Sequence, residues 1–447
     1  MRTLFSLGLL VLSGTHLLAQ APETKVVVPK ERVTAVDERV SAAVKDLVEL
    51  YKDFHEHPEL SLNEVRSAAR LAKEAKSLGF EVTEKVGQTG VVAVLKNGAG
   101  PTVLIRADMD ALPIVEQTGI PYASKVLTRD RAGREVGVMH ACGHDVHMAC
   151  WVGVARVLAG MKDKWSGTLV FVAQPAEEIG TGARLMLADG LYKRFPKPNY
   201  CLALHADALQ EAGHIYYTEG LAMANVDTVE ITVKGKGGHG AAPHATIDPI
   251  VIAAKLILDL QTIVSREMNP IDPGVVTVGS IHGGTKANII SNEVKLQITV
   301  RSTKDATRKL ILEAIERKAK AAAASANAPE PEIVVLIDEF TPKLENNIDL
   351  TRKTIAVFKN VLGEDKIHTR PVIMGGEDFS RYALNGEIPV FMYFLGSVSP
   401  ERMAESKKEG GKPLAGGHTD QYYPQPEPTI RTGVKTMSLA VLNLVGK

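Results

Sequence analysis

The sequence predicts an α/β protein whose discontinuous main domain carries an inserted α+β, ferredoxin-like lid. Three observations lead there. Short β-branched runs alternate with amphipathic helical patterns through the first half of the chain, as in a sheet with its functional loops at strand ends. Residues 225–338 then hold a complete β-α-β-β-α-β order. Beyond them helix and strand patterns resume, so the insert interrupts one domain instead of following it. At 447 residues the chain is long enough for two or more such units.

The elements follow in chain order. Met1-Arg2-Thr3, an apolar run over residues 4–19 and the triplet Ala19-Gln20-Ala21 make a positive start, a stretch too short to span a bilayer and a small-residue cleavage site. They predict an export signal over residues 1–21, a mature chain beginning near Pro22, and a periplasmic or secreted location; a buried N-terminal helix is the alternative. No cysteine follows the signal, which argues against a lipid anchor, and no later segment is apolar enough to span a membrane.

After a polar linker near residues 22–36, Val40, Val44, Leu47, Tyr51 and Phe54 recur at helical spacing. Ser61-Leu62-Asn63-Glu64 has the form of a capping box opening a second helix, which Gly79 closes. Residues 91–95 and 102–107 predict strands, 146–158 a helix, 168–173 a strand, 182–188 a helix and 200–204 a strand. This first part of the main domain covers residues 30–224. The insert offers strand 226–234, helix 249–266, strands 275–281 and 294–301, helix 306–326 and strand 333–337. A helix near 350–362, a strand near 390–393 and a helix near 430–444 complete the main domain over residues 339–447. The alanine-rich run 319–328 ends a helix that alanine favours.

Composition narrows the partners. Hydrophobic residues make up 45% of the chain and charged ones 23%, as in an ordinary globular protein. The formal net charge is zero, so neither nucleic acid nor an anionic membrane surface is expected as a partner. Three cysteines are too few and too odd for a disulfide framework. Cys150 and Cys201 fall in apolar runs and read as buried small hydrophobes. Cys142 has different neighbours.

Those neighbours are His140, His144 and His147, and Gln174-Pro175-Ala176-Glu177-Glu178 follows some thirty residues on. A thiolate and a neutral imidazole two residues apart can converge on a borderline cation, while adjacent carboxylates divide the work, one binding metal and one moving protons. The two segments read as a metal-hydrolase site. A Cys142–His144 thiol hydrolase is the rival, but it leaves Glu177 and Glu178 without a purpose.

Further motifs extend the pattern: Arg106-Ala107-Asp108-Met109-Asp110-Ala111-Leu112-Pro113, Gly237-Gly238-His239-Gly240-Ala241-Ala242-Pro243-His244, Ala287-Asn288-Ile289-Ile290 and Gly375-Gly376-Glu377-Asp378-Phe379. Over nearly the whole chain this set resembles the M20 metallopeptidase family, in the amidohydrolase branch that includes hippurate hydrolases and indole-acetyl-amino-acid hydrolases. The resemblance implies a zinc-peptidase-like catalytic domain holding two divalent ions, bridged by Cys142. It makes His144, His205, Glu178 and His418 the remaining metal ligands and Glu177 the general base. His239 becomes the oxyanion donor, acting within its own subunit or across to a partner, a role that His244 shares or contests. Asn288 and Arg301 grip the substrate's free carboxylate, for which the planar fork of arginine is suited. Asp110 orients a ligand imidazole. Asp108 stands where other branches place a histidine ligand, with either a turn-capping or a functional role, and His140, His147, Glu377 and Asp378 receive no role.

The implied reaction is hydrolysis of an N-acyl or N-aroyl amino acid, or a small dipeptide, to a carboxylic acid and a free amino acid. An exported dipeptidase is the alternative within enzymes. A non-catalytic, ligand-binding relic of the fold is the alternative outside them, against which Glu177 argues. The thiolate leans towards zinc, with manganese, cobalt and nickel open. An inserted domain of this type can also pair with a copy of itself to form a homodimer.

Overall fold

The computed structural model describes residues 27–447, so the export signal expected over residues 1–21 lies outside the described residues. Helix α1 (Lys30–Glu56) forms because Val36, Val40, Val44, Leu47, Tyr51 and Phe54 share one face, and that face is buried. It begins within the stretch 22–36 expected to be linker. Pro29 sets φ at −54° just ahead of it, and Val33 and Val36 carry the apolar stripe backwards. Helix α2 (Val65–Ser77) follows, but Ser61 and Glu64 do not form the expected capping box. The Glu59 carboxylate accepts from the amides of Arg66 (2.9 Å) and Ser67 (2.8 Å) instead. Ser61 and Glu64 turn inward.

The chain continues through β1 (Glu81–Val86), β2 (Gly90–Asn97), β3 (Thr102–Asp108), α3 (His144–Ala159), β4 (Gly167–Gln174), α4 (Gly182–Ala188), β5 (Tyr200–Glu211) and β6 (Ile215–Tyr217). The insert contributes β7 (Asn225–Lys234), α5 (Pro249–Thr262), β8 (Gly274–Gly283), β9 (Glu293–Ser302), α6 (Asp305–Ala324) and β10 (Glu332–Val335). Last come α7 (Ile348–Leu362), β11 (Ile367–Thr369), β12 (Val390–Val398) and α8 (Pro426–Val445).

Eight strands form the main sheet in the order β1-β2-β4-β3-β5-β12-β6-β11. Its centre, β4-β3-β5-β12, is parallel and covered on both faces, which is why those strands are apolar almost throughout. In β4, Leu169, Phe171 and Ala173 pack with α1, α3 and α8, while Val170 and Val172 pack with α4. Helix α3 is apolar on every side because α1, α8 and the sheet enclose it. Cys150 in α3 and Cys201 in β5 are both free and buried.

The insert builds a separate antiparallel sheet in the order β8-β9-β7-β10, the ferredoxin-like arrangement, with Leu256 of α5 and Ile311 and Ile315 of α6 packed on Ile231 and Leu296. Two crossing segments join it to the main sheet. Val226 and Thr341 exchange hydrogen bonds of 2.9 Å, and Ala224 N donates to Gly375 O at 3.0 Å. Arg301 lies opposite Val226, so the end of β9 sits at this seam.

One buried cation ties α1 to the start of α3. His55 Nδ1 lies 2.7 Å from Asp145 Oδ2 and Nε2 lies 3.1 Å from Glu116 Oε1, with none of the three side chains reached by solvent. Burial alone would lower the His55 pKa, but Asp145 and Glu116 outweigh it and raise it to about 9. A histidine with a raised folded pKa stabilises fully below its unfolded value of 6.5 and loses that contribution as pH rises through about 9. His55→Ala strands two buried carboxylates, so it should cost about 3–5 kcal/mol near pH 6. Urea unfolding midpoints of parent and variant should draw together towards alkaline pH; equal midpoints near pH 6 would contradict this reading.

Candidate metal centre and substrate cleft

The donor residues gather at the C-terminal ends of the parallel strands, where an open α/β sheet forms its crevice. Asp108 ends β3, the turn after β4 carries Glu177 and Glu178, His205 lies midway along β5, and Cys142 and His144 flank the start of α3. Gly143 between them has φ of +81°, and a Cβ there would stand 2.9 Å from Ala206 Cβ. Only glycine serves at that point. His418 arrives from the loop before α8, with φ of 62° and its amide donating to Ala141 O at 2.8 Å.

Cys142 Sγ stands between two groups of donors. It lies 3.5 Å from His205 Nε2 and 3.3 Å from His418 Nε2. Cys142, His144 and His205 form one cluster with all donor atoms within 4.8 Å of one another, and Cys142, Glu178 and His418 form a second. Glu178 spans the two, with Oε1 3.7 Å from His144 Nε2 and Oε2 3.5 Å from His418 Nε2. Backbone carbonyls set the tautomers. His144 Nδ1 donates to Asp110 O and His205 Nδ1 to Ala206 O, each at 2.7 Å, which turns both Nε2 atoms towards the cluster. His144 Nε2 and Glu178 Oε1 are buried with no hydrogen-bond partner, as metal donors are.

Electrostatics point the same way. Burial and the charges of Glu178, Glu177 and Asp108 push the Cys142 thiol well up. Burial lowers His144, but Asp108, Asp110 and Glu178 together raise it to about 10. Burial first, then Asp110, raises Glu178 to about 8 against the pull of His144. The raised His144 registers the carboxylates around it, and burial together with those carboxylates holds protons on Cys142 and Glu178, a balance that divalent cations would shift towards the ionised donors. The soft thiolate, imidazole and carboxylate donors suit zinc or a neighbouring transition metal.

Several site residues escape a reading by motif. Arg106 is fully buried, with Nη1 2.6 Å from Asp108 Oδ2 and Nη2 2.8 Å from Glu377 Oε1 and 3.2 Å from Asp378 Oδ1. A charged residue inside the apolar run of β3 was the available signal. Asp108 bridges Arg106 to His147 and lies 3.6 Å from His144 Nε2. Ala206 N donates to His147 Nε2 at 2.7 Å, so His147 carries its proton on Nδ1 and gives it to Asp108 Oδ1 at 2.5 Å. The Asp110 carboxylate lies 3.4 Å from His144 Nδ1, but its closer partners are Ser61 Oγ (2.6 Å) and the amides of Glu177 (3.1 Å) and Glu178 (3.0 Å). His140 is buried with both ring nitrogens unpartnered.

A cleft of about 630 Å³ opens beside the donors, lined by Cys142, Glu177, Glu178, His205 and His418 on the main domain and by Val226, Thr228, Thr299 and Arg301 on the lid. Arg301 is half-buried there, with Nε on Thr299 Oγ1 (3.1 Å) and Nη1 on Met374 O (3.4 Å). Burial lowers its pKa, and among the described residues no acid offsets it. His239 and Asn288 adjoin each other through the ribbon Gly238–His239 and Ile289–Ile290, are exposed, and do not line the cleft of their own chain. His244 is also exposed, in the turn Pro243–Ala245.

Sheet, lid and donor set together define a metal-dependent hydrolase. The chain belongs to peptidase family M20/M25/M40, whose model matches residues 104–410, and acts on amide bonds. It is 38% identical over 329 residues to the hippurate hydrolase of Campylobacter jejuni subsp. jejuni serotype O:2, covering 73% of this chain and 82% of that protein. It is 34% identical over 360 residues to thermostable carboxypeptidase 2 of Saccharolobus solfataricus, covering 80% and 87%. The crystal structure of the Bacillus subtilis YXEP protein, a dinuclear metal binding peptidase from the M20 family, matches with a TM-score of 0.69 at 30% identity, covering 90% of this chain and 99% of that one.

Cys142 belongs to both clusters, with Glu178 reaching between them, which makes metal content a direct probe. His205→Ala and His418→Ala should each weaken one ion and leave the other, by roughly 10- to 100-fold in affinity. Cys142→Ala should weaken both. Elemental analysis after equilibrium dialysis reads this, and full metal content in Cys142→Ala would refute the shared-thiolate arrangement.

Proposed function

We propose that the protein is a dinuclear-metal amidohydrolase that cleaves N-acyl or N-aroyl amino acids into a carboxylic acid and a free amino acid. The observation that carries this reading is the placement of Arg301, a half-buried guanidinium without an acidic partner, in one cleft with Cys142, Glu177, Glu178, His205 and His418. A planar cation desolvated in this way suits the free carboxylate of an amino acid. The relationship to hippurate hydrolase supports the same substrate class. Ile179, Leu209, Met223 and Phe394 give the cleft apolar wall for an acyl group.

Cys142, His144, His205, Glu178 and His418 would hold two divalent ions, which when bound supply Lewis acidity towards water and the amide carbonyl. Glu177 is the general base. Burial, then the charges of Glu377, Glu178 and Asp378, raise its proton affinity well above that of an ordinary carboxylate, with Arg106 opposing. A group that takes a proton from attacking water and passes it to the leaving amine needs that affinity. Ala241 N donates to His239 Nδ1 at 3.0 Å, which leaves Nε2–H free as an outward donor for an oxyanion. Because His239 and Asn288 lie outside their own chain's cleft, lid closure or a second copy brings them to the substrate. The export signal expected over residues 1–21 would make this an exported enzyme.

The relationship to a carboxypeptidase favours a second reading, an exopeptidase anchored by the same Arg301. Hydrolysis of N-benzoyl and N-acetyl amino acids should exceed that of dipeptides, and the reverse order would favour the peptidase. Glu177→Gln should lower kcat at least 10²–10⁴-fold with metal content retained, and unchanged turnover would remove the mechanism. Arg301→Met should raise KM for free acids while leaving their methyl esters unaffected.

A further inference from the structure

The turn that carries the base is held by a carboxylate that no reaction role yet accounts for. Glu64 is fully buried, and its Oε1 accepts from Ala176 N at 2.8 Å and Leu62 N at 2.9 Å, while its Oε2 accepts from Thr89 Oγ1. Ala176 adopts φ of +52°, a left-handed conformation that a non-glycine residue takes only under constraint. Its carbonyl is gripped as well, accepting from Thr181 N (3.2 Å) and Gly182 N (3.0 Å). One residue on, the Asp110 carboxylate takes the amides of Glu177 and Glu178, and Ser61 Oγ steadies that carboxylate at 2.6 Å. Three successive amides therefore end on two buried carboxylates.

This geometry sends adjacent side chains to different tasks. Both carboxylates reach His144, but Glu178 also faces the Cys142–His418 cluster, whereas Glu177 also shares a cluster with Glu377 and Asp378. A turn free to relax from φ of +52° would rotate both together. We infer that Glu64 is a positioning residue for hydrolysis, holding Ala176 in its left-handed conformation and so aiming Glu177 at the reacting water, with Ser61 in the supporting role on Asp110. The inference rests on Glu177 being the base. It assigns to the loop before α2 a share in catalysis that its sequence, read as a helix cap, conceals.

The test uses the full chain, metal-loaded, with N-benzoylglycine as substrate. Glu64→Ala should lower kcat roughly 10- to 100-fold, with KM little changed. In a Glu177→Gln background the same substitution should cost less than about threefold, because residues acting as a unit are not additive. Multiplicative losses would overturn the inference. If Glu177→Gln itself keeps full turnover, the proposed base falls instead, so the two failures are distinguishable. Amide hydrogen exchange on the apoprotein supplies a readout free of activity: Glu64→Ala should speed exchange at Ala176, Glu177 and Glu178 by on the order of tenfold relative to Leu169–Val172 of β4. Equal acceleration across β4, or none at the turn, would again overturn it. Should Glu64→Ala fail to fold, Glu64→Gln keeps the size and one acceptor oxygen and should show the same pattern with a smaller loss.

Discussion

Negative charge gathered at the strand ends beside the cleft sets the terms for the rest of the molecule. Asp108, Asp110, Glu177, Glu178, Glu377 and Asp378 converge at the strand ends around one guanidinium, that of Arg106. Arg106 contacts Asp108, Glu377 and Asp378 directly, yet one cation offsets only part of three charges, and burial with Glu377 still raises Asp378 to about 7. Burial, and the neighbouring carboxylates after it, also raises the proton affinities of Glu177, Glu178 and the Cys142 thiol. Bound cations would complete the balance, and the metal centre would then belong to the folded state as much as to the chemistry.

The fold meets this demand mainly with backbone. Carbonyls of Asp110 and Ala206 choose the tautomers of His144 and His205, and the Ala206 amide chooses that of His147. Carboxylates of Asp110 and Glu64 hold the amides of the turn after β4. Gly143 lets the turn before α3 approach Ala206 closely. Most of these contacts come from strand ends of one sheet, so a rigid element stands behind those donors, while His418 arrives on a loop. The lid brings the complementary feature, an arginine without an acid, to the opposite wall of the cleft.

Much of this was legible in the chain. Apolar runs located the central strands and α3 because both are enclosed, and the alternation in β7 and β9 revealed the half-covered lid sheet. Cys142, His144, Glu177 and Glu178 could be read from local spacing, since each pair is close in sequence and chemically improbable as filler. His205 and His418 needed the family resemblance, because nothing local marks an isolated histidine as a ligand. The edge strands β1 and β11, and β6 next to β11, are short and offer no periodicity. Ser61 and Glu64 misled for a physical reason: a capping box is a local pattern, but their partners, Asp110 and Ala176, are brought in by tertiary folding. Placing His239 and Asn288 side by side required the ribbon that pairs them, which leaves both outside their own chain's cleft.

The central claim is that one sulfur joins two cation sites at the end of this sheet. Anomalous scattering from metal-loaded crystals, collected on either side of the absorption edge, tests it most directly. The account predicts two peaks, each about 2.3 Å from Cys142 Sγ, one also bound by His144 and His205 and the other by Glu178 and His418. A single peak, or two peaks that leave the Cys142 sulfur uncoordinated, would contradict it.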